Sequence, residues 1–281
     1  SDAFDAYLAI PITESDTINA QLGVSKTGVS TFPGETPQEF INYIDTLGHH
    51  TFHTWETVFS WAHDTRNKYW NPTRGSLQQV SLDIALPGST VEYYTLFYKY
   101  GQYLPLTRSL TFYTHFTVGY GDTWRTPEAD PDPSMDPARY ADLSGLPFFK
   151  NFFAGGVNDV RGFRDNTLGP YYLFPGCASS FKNCRQPIGG AFKTVGSAEI
   201  IFPTPFVKED NDSTRLSWFF DVGNVFKDYN AWSADELRAS TGLSFQWRAP
   251  VGPIVINLAM PIRKKDGDDT ETIQFSFGNT F

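Results

Sequence analysis

The chain has 281 residues, 40% of them apolar, 19% charged and 16% aromatic, with a net charge of −9. That aromatic content argues against disorder, and no stretch approaches the ~18 uninterrupted apolar residues of a membrane-spanning helix. The acidic balance argues against a nucleic-acid partner.

Aromatics without long apolar runs fit strands that alternate apolar and polar residues, so the informative period is two. Ala6, Leu8, Ile10 and Ile12 make a weak first strand. Ile18, Ala20, Leu22 and Val24 alternate with Asn19, Gln21 and Ser25, and Trp55, Phe59 and Trp61 with Glu56 and Ser60. Val80, Leu82, Ile84 and Leu86 oppose Gln79, Ser81 and Asp83; Tyr94, Leu96, Tyr98 and Tyr100 oppose Thr95, Phe97 and Lys99. Leu110, Phe112, Phe116, Val118 and Tyr120 oppose Thr111, Tyr113, His115 and Thr117. After a long interval, Ala198, Ile200 and Phe202 oppose Ser197 and Glu199, and Leu216, Trp218, Phe220 and Val222 oppose Arg215, Ser217, Phe219 and Asp221. Leu237 through Trp247 alternates with Arg238 through Arg248, Ile254 through Ile262 with Val255, Asn257 and Ala259, and Ile273, Phe275, Phe277 and Phe281 share the last apolar face. The pattern predicts about eleven strands of the length that crosses a bilayer at a tilt.

Two architectures share this pattern. A soluble β-sandwich buries the apolar face between sheets. An antiparallel transmembrane β-barrel turns it to lipid and keeps a polar lumen. The connections favour the barrel, because short ones (12–17, 105–108, 249–253) alternate with long ones (26–50, 122–190, 223–235), as periplasmic turns and extracellular loops do. Two short outer connections, 87–90 and 263–270, depart from that alternation. Single-chain bacterial barrels have even strand numbers. An odd count, with a polar Ser1-Asp2 start and no signal peptide, leads to the expectation that residues 1–281 are the C-terminal part of a longer barrel domain.

Residues 147–175 read PFFKNFFAGGVNDVRGFRDNTLGPYYLFP. Ala154-Gly155-Gly156, then Val160-Arg161-Gly162-Phe163, then Asn166 through Pro170, resemble the sixth extracellular loop of the BamA family, central barrels of the bacterial outer-membrane protein assembly machine. AEIIFPTPF at 198–206, FFDVG at 219–223, the stretch 243–264 and residues 273–281 resemble the strands that follow, and NPTRGS at 71–76 resembles a periplasmic turn of that family. The resemblance runs over nearly the whole chain. It implies a sixteen-stranded barrel of which the last eleven strands are present, with the long loop folded into the lumen. The first five strands and the periplasmic POTRA domains are then absent. It also implies a bacterial outer-membrane location and a non-enzymatic activity: folding and inserting nascent outer-membrane barrel proteins by strand templating at a lateral gate between first and last strands. The implied partners are those client barrels, outer-membrane lipid, and accessory assembly lipoproteins reached through the POTRA domains. No cofactor is implied.

Taken alone, Arg161 reads as a solvated loop charge. The polar faces direct Glu199 and Asp221 inward, and a guanidinium suits carboxylates bidentately. Their meeting with Arg161, tethering the loop, is what the resemblance implies. Gly162 permits a tight backbone beside Arg161, and Phe163 either anchors the loop apolarly or covers the barrel mouth. Cys177 and Cys184 are the only cysteines. An oxidising compartment predicts a disulfide between them, worth roughly 2–3 kcal/mol. His49, His50 and His53 make a weak candidate metal cluster against the plainer reading of surface histidines. Ile273, Phe275, Phe277 and Phe281 form the lipid face of the last strand; Gly278 weakens it, and in the family a glycine there lets the strand bend inward at the seam.

Three other function classes compete. A passive porin or secretion pore (two-partner secretion or TamA-like) shares the strands. A barrel-embedded enzyme needs a nucleophile beside the lumenal His115, and no G-x-S-x-G motif is present. A soluble sandwich would be a binding module.

Overall fold

The computed structural model describes residues 2–32, 34–175, 184–205 and 213–278. In chain order the elements are β1 (Asp2–Pro11), β2 (Asp16–Gly28), α1 (Gln38–Leu47), β3 (Thr51–Asp64), β4 (Gly75–Ala85), β5 (Glu92–Pro105), β6 (Thr111–Arg125), β7 (Tyr171–Leu173), β8 (Arg185–Pro187), β9 (Phe192–Phe202), β10 (Thr214–Phe226), β11 (Arg238–Ala249), β12 (Gly252–Arg263) and β13 (Ile273–Phe277). Eleven of the strands form one sheet in the order β1-β2-β3-β4-β5-β6-β9-β10-β11-β12-β13. Every neighbouring pair is antiparallel. β7 and β8 are a separate small hairpin inside the long loop.

The sheet is inside-out relative to a soluble sandwich. Phe4, Leu22, Trp55, Phe59, Phe116, Trp218, Leu258, Met260 and Phe275 are all exposed, whereas Glu199, Arg215, Ser217, Asp221, Ser240, Ser244, Asn257 and Gln274 are buried. An apolar exterior over a polar interior is the lipid-facing arrangement of a membrane barrel wall. No helix among the described residues is long and apolar enough to cross a membrane. The strand order ends at β1 and β13, and no ladder joins them among the described residues.

The alternation fixes most inward side chains, and register then aligns them around the wall. Ser217, Ser244, Asn257 and Gln274 are paired in turn across β10, β11, β12 and β13. They form one buried polar row leading to the last strand. A register shift between Ala239 and Ser240 interrupts the pattern expected at the start of β11, and Ala239 is buried there.

α1 lies in the long connection 26–50, where the period-two pattern placed no element. It ends at Gly48, whose left-handed backbone (φ 73°) lets its N–H reach the Ile44 carbonyl. Tyr43 and Leu47 pack with Phe52, Val91, Tyr93 and Leu143 in an apolar cap. Phe148 stacks on Phe40 at 4.3 Å and meets Tyr43 edge-on, which joins the long loop to that cap.

Candidate functional site

The connection from β6 to β9 dips inside the wall. Its two limbs pair with each other at Phe152–Gly190 and Ala154–Leu168. Three charged contacts then fasten it to different strands. Lys150 ends a short 3-10 turn, Phe148–Lys150, and places its Nζ 3.1 Å from Glu56 on β3 and 3.6 Å from Asp83 on β4. The same ammonium lies 5.1 Å from the centre of the Tyr93 ring. Burial works against its charge, yet Tyr93, Asp83 and Glu56 together hold Lys150 above its ordinary pKa. Asp159 pairs with Lys193 of β9 at 2.8 Å.

Arg161 makes the densest contact. Its Nε and Nη2 donate to the two carboxylate oxygens of Asp221, each at 2.7 Å, and its backbone N–H donates to Asp221 at 3.1 Å. Nη2 also lies 2.8 Å from Glu199 and 3.1 Å from the Ser197 hydroxyl. Ser197 in turn donates to Asp221 at 2.6 Å, and Arg215 donates to the other Glu199 oxygen at 2.7 Å. Two guanidinium groups thus balance two carboxylates in a buried, neutral cluster. Arg161 is 5% exposed and Asp221 fully buried. Burial opposes the Arg161 charge, and Glu199 and Asp221 outweigh it and raise its pKa. Such a pairing resists opening because either partner alone would be an uncompensated buried charge.

The neighbours of Arg161 hold the backbone in place. Val160 and Phe163 are fully buried with Ala154, Leu168, Val195 and Val225, so Phe163 is an apolar anchor and not a cover at the mouth. Gly162 has φ 87°, and a Cβ there would stand 3.1 Å from that of Ala259 on β12. A left-handed backbone and a close approach both require glycine. Residues 162–164 then pair with the segment before β13. Glu271 N–H donates to Gly162 O at 2.9 Å and Arg164 N–H to Asp269 O at 2.9 Å, with a bridge between Phe163 and Thr270. The Gln274 side chain completes the join: it accepts from Gly162 N–H at 3.0 Å and donates to Phe163 O at 2.8 Å.

The structure therefore brings together Val160, Arg161, Gly162, Phe163, Glu199 and Asp221. Ile273, Phe275 and Phe277 face outward and are exposed on β13. Gly278 has φ 79° and donates its N–H to Pro253 O at 2.9 Å, just past the end of the strand. Phe281 and Cys177 lie outside the described residues. Cys184 is buried and is not a free thiol. His49, His50 and His53 belong to no group of three or more metal-capable side chains among the described residues. Sequence reasoning missed Lys150, Ser197, Arg215, Gln274 and Phe219, whose ring lies under the Arg161 guanidinium, as parts of the site. Four of these five lie on the inward faces of strands, a signal available in the alternation. Lys150 had none, because a lone lysine in a loop reads as solvated.

Similarity to known proteins falls where this geometry lies. Residues 3–281 match the Omp85 superfamily domain. The chain is 31% identical to the outer membrane protein assembly factor BamA of Neisseria meningitidis serogroup B, over 98% of this chain and 35% of that protein. It is 28% identical to the sorting assembly machinery 50 kDa subunit of Saccharomyces cerevisiae, over 46% of this chain and 26% of that one. The crystal structure of BamA from Haemophilus ducreyi lacking POTRA domains 1–3 superposes with a TM-score of 0.79 at 23% identity, covering 97% of this chain and 53% of that one. The chain thus spans about a third of the Neisseria relative and about half of the Haemophilus structure. With an apolar-out antiparallel sheet, a lumenal loop and a family match over almost every residue, the chain belongs to the Omp85 superfamily.

Proposed function

We propose that this chain is the C-terminal part of the barrel domain of an outer-membrane protein assembly factor. In the intact protein, further strands and periplasmic POTRA domains precede it. Its task is to fold and insert client β-barrel proteins, non-enzymatically, by offering a strand edge as template. The observation that carries this reading is β13. It pairs with β12 over only five residues, Ile273–Phe277, whereas the other ladders of the sheet run longer. Its other edge bears no ladder among the described residues, and a glycine with a left-handed backbone, Gly278, follows it directly.

An edge strand presents unpaired N–H and C=O groups on which another strand adds by β-augmentation. Alternating outward Ile273, Phe275 and Phe277 keep that edge at lipid level. Templating uses main-chain hydrogen bonds and needs no nucleotide, metal or nucleophile. The lumenal loop supplies the rigidity that a wall with a loosely held last strand lacks. Client barrels and membrane lipid are the partners at this edge, and accessory lipoproteins dock on the POTRA domains.

The test is a photo-crosslinking amino acid at Phe277 of the full-length protein in growing cells. Adducts with several unrelated nascent barrel proteins are expected. Adducts confined to one exported protein would instead indicate a dedicated secretion pore.

A further inference from the structure

The connection between the loop and the last strand goes beyond a tethered Arg161. Gln274 is the last member of the polar row Ser217–Ser244–Asn257–Gln274 and is 2% exposed. It is also the member whose amide crosses from the wall to the loop backbone, accepting from Gly162 N–H and donating to Phe163 O. Two backbone hydrogen bonds, Glu271 to Gly162 and Arg164 to Asp269, flank that amide. The segment 264–272 is held at further points by Arg238, whose Nε lies 2.8 Å from Asp268, and by Arg185, which donates to Asp266 O at 3.0 Å. The lead-in to β13 is therefore fixed from inside the wall as well as by the five-residue ladder with β12.

We infer that Gln274 is a positioning residue that locks the Arg161-Gly162-Phe163 backbone to the terminal strand, so that loop and strand edge move as one body. The inference stands on this geometry alone and holds whether or not the barrel assembles clients. Arg161 is anchored on β9 and β10 through Glu199 and Asp221. Gln274 carries that anchorage across to β13 without passing through β11 or β12. By linkage, what displaces β13 must loosen the loop, and release of the loop must loosen β13 to the same degree. Glutamine suits the role because one planar side chain offers both an acceptor and a donor, which closes the bonds to Gly162 N–H and Phe163 O at once.

Hydrogen exchange on the full-length protein in lipid nanodiscs tests this. Gln274→Ala and Gln274→Met each remove the two amide bonds, and Met keeps the side-chain length. Both are expected to speed exchange about tenfold or more, in residues 269–277 and in residues 160–164 together. Arg161→Ala is expected to speed exchange in 269–277 as well, although its side chain touches none of those residues. Should Gln274→Ala fail to give a heat-modifiable barrel, Glu271→Pro removes one backbone donor without altering the buried amide and is expected to deprotect both segments. Full protection retained in Gln274→Met would make Gln274 a packing residue and overturn the inference. Deprotection confined to one segment in any of these variants would also overturn it.

Discussion

The guanidinium of Arg161 lies 3.6 Å from the centre of the Phe219 ring, a fully buried aromatic on the inward face of β10. Phe219 is paired across the ladder with Glu199 and sits two residues from Asp221. One strand therefore supplies both the ring that supports the cation and the carboxylate that grips its edge. A flat, delocalised cation satisfies both demands, which a lysine ammonium does not. Arg161→Lys is expected to expose the 126–170 segment to protease in a folded barrel, and Arg161→Ala to do so more completely. Removal of one partner of such a buried pair costs about 3–5 kcal/mol. Limited proteolysis beside a heat-modifiability gel reads both; an uncut loop in Arg161→Ala would contradict the account.

The neutral balance of the cluster gives a sharper prediction. Arg161→Met leaves Asp221 uncompensated, and Asp221→Leu leaves Arg161 sharing Glu199 with Arg215. The double variant removes one charge of each sign. It is expected to be less destabilised than the sum of the single variants by about 1–3 kcal/mol, the coupling seen for residues in one network. Denaturant unfolding in detergent measures the cycle, and additive single effects would show that the pair contributes no coupling.

Gly162→Val forces a branched side chain into a left-handed backbone and against Ala259. Residues in sparsely populated backbone regions cost of order 1–3 kcal/mol, and the clash adds to that. The expected result is loss of the Gly162–Gln274 bond, seen as faster amide exchange near both residues. Gly145 has φ 87°, similar to Gly162, but nothing stands near a Cβ there. Gly145→Ala is therefore expected to be milder.

Lys150 fastens the earlier half of the loop, and its side chain is 30% exposed. A partly solvated pair contributes on the order of 1 kcal/mol or less. Lys150→Met is expected to loosen residues 126–153 while leaving 160–164 protected. Simultaneous release of both halves would mean that the loop opens as a unit and that its fastenings are not independent.

We also propose that Cys184 is bonded to Cys177. Intact-mass analysis with and without reductant is expected to show a two-proton difference and no alkylatable thiol before reduction. Reduction is expected to destabilise this region by roughly 2–3 kcal/mol in the chain-entropy view. A free thiol in the unreduced protein would exclude the bond.

The alternation of side chains made the eleven wall strands legible, because a half-buried strand must place every second residue on one face. It also directed Glu199, Asp221 and Gln274 inward. What it did not supply is depth and reach. Periodicity says which way Asp221 points but not which loop residue arrives there, and the resemblance of the 154–170 stretch supplied that partner. Lys150 was illegible for the same reason, since its partners Glu56 and Asp83 lie more than sixty residues away in the chain. α1 carried a readable signal that period two obscured. Phe40, Tyr43, Ile44 and Leu47 repeat at helical spacing between Pro37 and Gly48. β7 and β8, at three residues each, are too short for any period to declare.

The most direct test of the assembly reading is made in cells. The full-length protein is depleted and several unrelated outer-membrane barrels are quantified by immunoblot. The account predicts a general loss of folded barrels, with unfolded clients accumulating in the periplasm. Loss of a single exported protein while other barrels stay at normal levels would contradict it.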